Sequence, residues 1–158
     1  VMYSRIAGIP DFTYHNKPEK RAEIDLDGFI TSGDVGYIDR DGYVFICDRK
    51  RDMIISGGFN IYPSEIEQVI WSHPAVEDCA VVGVPDDKWG EAVKAIVQLK
   101  SGAAATPEEL SAFCRERLGG MKTPKSFEIW DQLPRSPVGK VLKRNIRDRF
   151  WSGRARNV

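Results

Sequence analysis

Three groups of residues in this sequence have the types and spacing to do chemistry. The first joins Thr31-Ser32-Gly33-Asp34 to Asp48-Arg49. A turn signal, Asp39-Arg40-Asp41-Gly42, separates the β-prone runs 35–38 and 43–47, so a hairpin would draw the two groups towards one region. A carboxylate and a guanidinium on adjoining strand ends suit a ligand with vicinal hydroxyls and a phosphate, such as a ribonucleotide. An ordinary turn carboxylate and a surface ion pair would give the same pattern.

The second group is Ser56-Gly57-Gly58, where paired glycines permit left-handed dihedrals and the close approach of another backbone or a narrow ligand. A plain tight turn is the simpler explanation of such a pair. The third is Lys140, at the tip of the Pro/Gly-rich stretch 133–140. A lysine fixed by a rigid loop can act as a point cation for charge developing on phosphate or carboxylate, although most exposed lysines only solvate a surface.

Other chemistries are excluded. There is no GxGxxG or P-loop pattern to cradle phosphates. Cys47, Cys79 and Cys114 lack CxxC spacing, and neither His15 nor His73 is close to a cysteine, so no metal site is expected. Three separated cysteines suit a reduced, cytoplasmic chain. Cys114 is expected in the core, and His73, before Pro74, beside a helix end. With 23 basic against 23 acidic residues, the chain lacks the excess of cations that a nucleic-acid partner or an anionic membrane requires. No apolar run is long enough for a transmembrane segment.

The elements that must position these groups follow from pattern. Residues 1–30, punctuated by Gly8, Pro10, Asn16 and Pro18, offer one helix-like run, 18–24. After the hairpin and the charged block 48–52, which must be a surface connection, comes a short apolar strand at 53–55 and a loop over 56–63. A helix at 64–72 carries Ile66, Val69 and Ile70 on one stripe, with Ser64 and Glu67 at capping-box spacing. Strands are expected at 76–84 and 92–99, separated by a polar loop, 85–91, that contains Trp89. A second helix begins at a Thr106/Glu109 capping box with Pro107 in first position, and Gly119-Gly120 stops it. A strand at 127–130 and a basic helix at 142–150 complete an α+β fold, a small mixed sheet with helices packed on it.

Together the strings TSGDVGYIDRDGY, DRKRDMIISGGFNIYPSEIE, VVGVPDDKWGEAVKAIVQL and LPRSPVGKVLKR, in that order, resemble the C-terminal part of the AMP-forming adenylating enzymes. This superfamily comprises acyl-CoA synthetases, luciferases and peptide-synthetase adenylation domains. The apolar wording DMIISGGFNIYPSEIE is similar to the fatty-acyl and aryl-CoA ligase branch, and the ending Phe150-Trp151-Ser152-Gly153-Arg154 to bacterial long-chain fatty-acid ligases.

The resemblance implies that the chain is part of an enzyme making acyl-AMP and pyrophosphate from a carboxylic acid and ATP, then passing the acyl group to CoA. It implies that residues 1–50 are the end of a large N-terminal adenylation domain and 51–158 a mobile C-terminal lid. Asp34 would bind the ribose hydroxyls of the nucleotide, Arg49 would contact that nucleotide, and Lys140 would bridge the attacking carboxylate and the α-phosphate. Arg51 occupies the hinge position, where relatives more often carry Asp or Lys. Gly57 and Gly58 would line the pantetheine tunnel, Trp89 would pack on CoA, and Lys125, with Lys122, would meet CoA phosphates. Met121 and Thr123 depart from the aromatic and arginine of some relatives.

The phosphate loop, the Mg2+ ligands and the acyl pocket of such enzymes find no match here. Since the sequence opens on Val1, a piece of a longer ligase is expected. The rival expectations are a stand-alone binding or regulatory module without catalysis, and an adenylating enzyme that loads a carrier-protein thiol.

Overall fold

The computed structural model describes residues 1–5, 7–8 and 11–153; Pro10 and Arg154 lie outside them. The chain divides into two compact units, Val1–Arg51 and Asp52–Val158.

In the first unit, α1 (Pro18–Glu23) precedes two antiparallel hairpins, β1 (Asp25–Leu26) with β2 (Phe29–Ile30), and β3 (Asp34–Ile38) with β4 (Val44–Arg49). The β1–β2 hairpin falls where the sequence suggested only one helix and loops. Asp27 and Gly28 between the strands both have positive φ, +52° and +80°, as a tight two-residue hairpin turn demands. The expected β3–β4 turn is held by Asp39, whose Oδ1 accepts from the Asp41 and Tyr43 amides at 3.0 and 2.9 Å. Asp48 and Arg49, expected in a surface connection, belong to β4, and a 3-10 turn, Lys50–Asp52, follows.

The second unit is an α+β layer structure. Its sheet contains β5 (Ile54–Ser56), β6 (Phe59–Ile61), β7 (Val76–Asp86), β8 (Gly90–Leu99) and β9 (Ser126–Ile129). β8 pairs along its length with β7, antiparallel; at Gly90 it meets β5, and from Lys94 to Val97 it runs parallel to β9. The sheet is therefore mixed. The loop expected over 56–63 is replaced by the β5–β6 hairpin, in which Ile54 pairs with Ile61, both buried. Gly57 and Gly58 form its two-residue turn, with φ +58° and +82°.

Side chains alternate across the sheet, and each face has its own core. Cys79 and Val81 of β7 and Val93, Ala95 and Val97 of β8 pack with Ile66 and Ile70 of α2 (Pro63–Trp71) and Leu110 and Cys114 of α3 (Pro107–Lys122). Ala80, Val82 and Ile96 pack with Leu133 and with Ile146 of α4 (Lys143–Phe150).

The capping box at Thr106/Glu109 forms, with Glu109 N–H donating to Thr106 Oγ1 at 3.2 Å and Thr106 N–H to Glu109 Oε2 at 2.8 Å. The one expected at Ser64/Glu67 does not. α2 starts one residue earlier, on Pro63 after an uncapped Tyr62, and Glu67 turns into the interior, where it is 4% exposed. In α3 the helix breaks at Gly119 (φ +71°), but the chain makes one more turn to Lys122 instead of stopping.

Candidate functional site

The hairpin of the first unit places Asp34 and Arg49 opposite one another in register. Arg49 Nε lies 3.4 Å from Asp34 Oδ1, and the Ser32 hydroxyl donates to Asp34 Oδ2 at 2.5 Å. Arg49 keeps half its side chain exposed and Asp34 about a quarter. A carboxylate oxygen accepts more than one hydrogen bond, so Asp34 retains capacity for a hydroxyl pair while Arg49 stays available to an anion. Thr31 Oγ1 accepts from the Gly33 amide at 2.9 Å, and Lys50 N–H donates to the Gly33 carbonyl at 2.8 Å. These bonds fix the turn that carries Ser32 and Asp34.

In the second unit the candidate residues separate into two regions. Gly57 and Trp89 meet at one end of β8. The Gly57 amide donates to the Trp89 carbonyl at 2.9 Å, and a Cβ on Gly57 would lie 2.6 Å from Trp89 Cε3. Gly58 has nothing within 4 Å of where its Cβ would stand. Lys88 lies over the half-exposed Trp89 ring, 4.8 Å from its centre. Asp86 Oδ1 holds this turn by accepting from the Lys88 and Trp89 amides at 2.9 and 2.8 Å.

Lys125 is exposed, and its amide donates to the Val93 carbonyl at 2.8 Å, which puts it about 10 Å along β8 from Gly90. With Arg115, Glu108 and Ser111 it borders a shallow depression of about 550 Å³. The Lys122 ammonium is engaged by both oxygens of Glu65, at 2.6 and 2.8 Å.

Lys140 stands at the other end of the sheet. Its loop closes between Arg135 and Val141, which form an isolated antiparallel bridge. Ser136 N–H donates to Lys140 O at 2.8 Å, and Lys140 N–H to Ser136 Oγ at 3.1 Å. The loop is moored by Arg135 to Asp78 and by the Leu133 amide to Gln98 Oε1, 3.1 Å. Asp78 and Gln98 are register partners, eight positions along β7 from the Asp86–Gly90 pair beside Trp89. At strand rise that is about 26 Å. Lys140 and the Gly57–Trp89 turn therefore occupy opposite ends of one sheet.

Sequence reasoning missed several side chains that build these regions. Glu91, 4% exposed, accepts the Ile55 amide at 3.0 Å and braces the strand leading into Gly57. Glu67 was expected only as a capping residue, Arg135 lies in the Lys140 string without a role assigned to it, and Asp78 carries no motif in the sequence. Arg51 is exposed in the 3-10 turn at the boundary of the two units. Among the described residues no cluster of three His, Cys, Asp or Glu could hold a metal ion, and no helix is long and apolar enough to cross a membrane.

Residues 65–140 match the family of AMP-binding enzyme C-terminal domains. This chain carries an AMP-binding enzyme C-terminal domain. It is 50% identical over 133 residues to a long-chain-fatty-acid–CoA ligase of Bacillus subtilis, an alignment that takes in 84% of this chain and 24% of the relative. It is 48% identical over 145 residues to the fatty acid–[acyl-carrier-protein] ligase ScoC of Streptomyces coeruleorubidus, covering 92% of this chain and 28% of ScoC. The ATP-bound structure of MatB from Rhodopseudomonas palustris superimposes with a TM-score of 0.81 at 40% identity, over 87% of this chain and 28% of that one. The AMP-binding C-terminal domain and its flanking hairpins thus span about a quarter of the length of these relatives.

Proposed function

We propose that this chain belongs to an AMP-forming acid–thiol ligase that activates a carboxylic acid, of the fatty-acid class, as acyl-AMP and then transfers the acyl group to CoA. The names of the relatives support this reading, and one observation carries it. The Lys140 loop and the Gly57–Trp89 turn lie at opposite ends of one rigid sheet, so a single reaction centre can use only one of them at a time. A two-step reaction with a rotation between the steps uses both.

In the first step Asp34 accepts the ribose hydroxyls of ATP and Arg49 meets its phosphate side. Lys140 brings a fixed cation against the carboxylate and the α-phosphate, where charge grows in the transition state. In the second step the chain turns about Arg51, and the Gly57-Gly58 turn comes to the centre. Gly58, bare of neighbours, leaves room for a pantetheine arm, Trp89 offers a flat apolar face, and Lys125 a cation for CoA phosphates.

The described residues do not fit Mg2+, the usual companion of ATP, and no step is assigned to a metal on this chain. The partner in both steps is an N-terminal adenylation domain bearing the phosphate loop and the acyl pocket. The free cysteines suit a reducing compartment such as the cytoplasm.

The test is Lys140→Ala in the full-length protein. Acid-dependent pyrophosphate release should fall by about 10²–10³ while thioester formation from supplied acyl-AMP persists. Equal loss of both steps would reject the two-ended reading. The 48% identity to ScoC favours one alternative acceptor, an acyl-carrier-protein thiol, and presenting CoA and a carrier protein side by side distinguishes them.

A further inference from the structure

The geometry points to Arg135 and Asp78 as positioning residues for Lys140, a reading that rests on the role given to Lys140 above. Arg135 uses two nitrogens of its guanidinium. Nη1 donates to the carbonyl of Gly139, the residue before Lys140, at 3.0 Å, and Nη2 makes an ion pair with Asp78 Oδ2. Asp78 is itself held: its Oδ1 accepts from Trp71 Nε1 on α2 at 3.0 Å and from the Cys79 amide at 2.8 Å. Asp78 keeps 17% of its side chain exposed and Arg135 33%, so the pair is shielded from full solvation. A chain of bonded groups therefore runs from the rigid sheet to the peptide bond that joins Gly139 to Lys140.

Two features show why this matters. First, the apolar residue at the loop tip, Val138, is 78% exposed and moors nothing. The buried Leu133 and the partly buried Val141 anchor its two ends. Second, a bulge between Val76 and Asp78 interrupts the β7–β8 register, and bulges redirect the side chains beside them. The bulge sets Val76 on the opposite face, with Cys79 and Val81, while Asp78 lies by simple alternation on the face of Ala80 and Val82, where Leu133 and α4 pack. The planar guanidinium fork suits two partners in fixed directions; a lysine would serve one. Without the fork the Gly139–Lys140 peptide keeps only its bonds to Ser136, and Lys140 is held less firmly to the sheet although its charge is intact.

The experiment measures acyl-AMP formation, thioester formation from supplied acyl-AMP, and melting temperature in the full-length protein, for Arg135→Ala, Arg135→Lys, Asp78→Asn and Lys140→Ala. Asp78→Asn keeps the shape and the Trp71 and Cys79 acceptor but turns an amide donor towards Arg135. Arg135→Ala and Asp78→Asn should each lower kcat of acyl-AMP formation about 10–100-fold, the scale for a displaced catalytic group, with KM for ATP little changed. Thioester formation should hold, and Arg135→Lys should recover only part of the loss. In a Lys140→Ala background Arg135→Ala should cost less than about twofold more, because nothing remains to position. Full activity of both Arg135→Ala and Asp78→Asn where Lys140→Ala is crippled would overturn the positioning role alone. Equal loss of both steps together with melting temperature would overturn it in favour of a general folding role. Undiminished acyl-AMP formation by Lys140→Ala would remove the Lys140 reading, and this one with it.

Discussion

The Glu67 carboxylate on α2 lies 2.8 Å from the Lys143 ammonium on α4, although the two helices pack with opposite faces of the sheet. Its other oxygen accepts the Val81 amide of β7 at 2.8 Å. Among the described residues β7 is an edge strand, paired only with β8, so Glu67 both satisfies a backbone donor at the edge and ties the helix after the Lys140 loop to the rest of the unit.

Glu67→Ala should therefore destabilise the second unit by about 2–3 kcal/mol, since removing one partner of a buried pair strands the other and leaves the Val81 amide unsatisfied. Glu67→Gln should cost less, because its amide oxygen still accepts one donor. All four tryptophans, Trp71, Trp89, Trp130 and Trp151, lie in the second unit, so urea unfolding followed by tryptophan fluorescence reports that unit selectively. Equal midpoints for Ala and Gln would show that the pair contributes little.

The cysteines give a second prediction. Burial pushes the Cys114 thiol up to about 11, and burial, reinforced by the Glu67 and Asp78 carboxylates, pushes Cys79 further in the same direction. A raised thiol pKa means less thiolate at any given pH, so at pH 7 roughly one Cys114 in 10⁴ is ionised, against a few per cent of a free cysteine. A thiol reagent at neutral pH should label Cys47, which is partly exposed, well before the other two, and all three only after denaturation. Rapid native labelling of Cys79 or Cys114 would contradict the packing described.

What the sequence revealed depended on how local the cause was. The Thr106/Glu109 cap, the hairpin around Asp39 and Gly42 and the apolar stripe of α2 are set by residues within a few positions, and all form. The Asp27-Gly28 turn is equally local, yet no hairpin was expected there. Glu67 shows the opposite case. Its capping spacing was real, but an edge amide 14 residues away and a lysine 76 residues away attract it inward. The candidate site divides in the same way: motif residues such as Asp34, Gly57 and Lys140 could be named, whereas Arg135, Asp78 and Glu91 act through partners distant in sequence.

Arg51 yields a prediction about motion. It sits in the 3-10 turn Lys50–Asp52, exposed, at the boundary of the two units. Arg51→Pro fixes φ near −65° and pushes Lys50 out of helical geometry, so one setting of the turn should be favoured over others. In single-turnover assays of the full-length protein, one half-reaction should stay near wild type while the other slows. Equal slowing of both would mean that Arg51 is not the pivot.

The glycine pair provides the sharpest separation of passage from mere turn, because the structure divides the two residues. Both have positive φ, but a side chain on Gly57 would strike the Trp89 ring, whereas one on Gly58 meets open space within this chain. Gly57→Ala should thus displace Trp89 and cost stability beyond its dihedral strain. At position 58 only the dihedral matters to folding, about 1–2 kcal/mol for any L side chain, so Gly58→Ala and Gly58→Leu should melt at nearly the same temperature. If pantetheine passes there, Gly58→Leu should slow thioester formation from supplied acyl-AMP far more than Gly58→Ala, and acyl-AMP synthesis should be the same in both. Since the folding costs match, an excess loss in the leucine variant can only report something that must occupy the space beside Gly58. Identical thioester rates for the two would leave Gly58 a turn residue and nothing more.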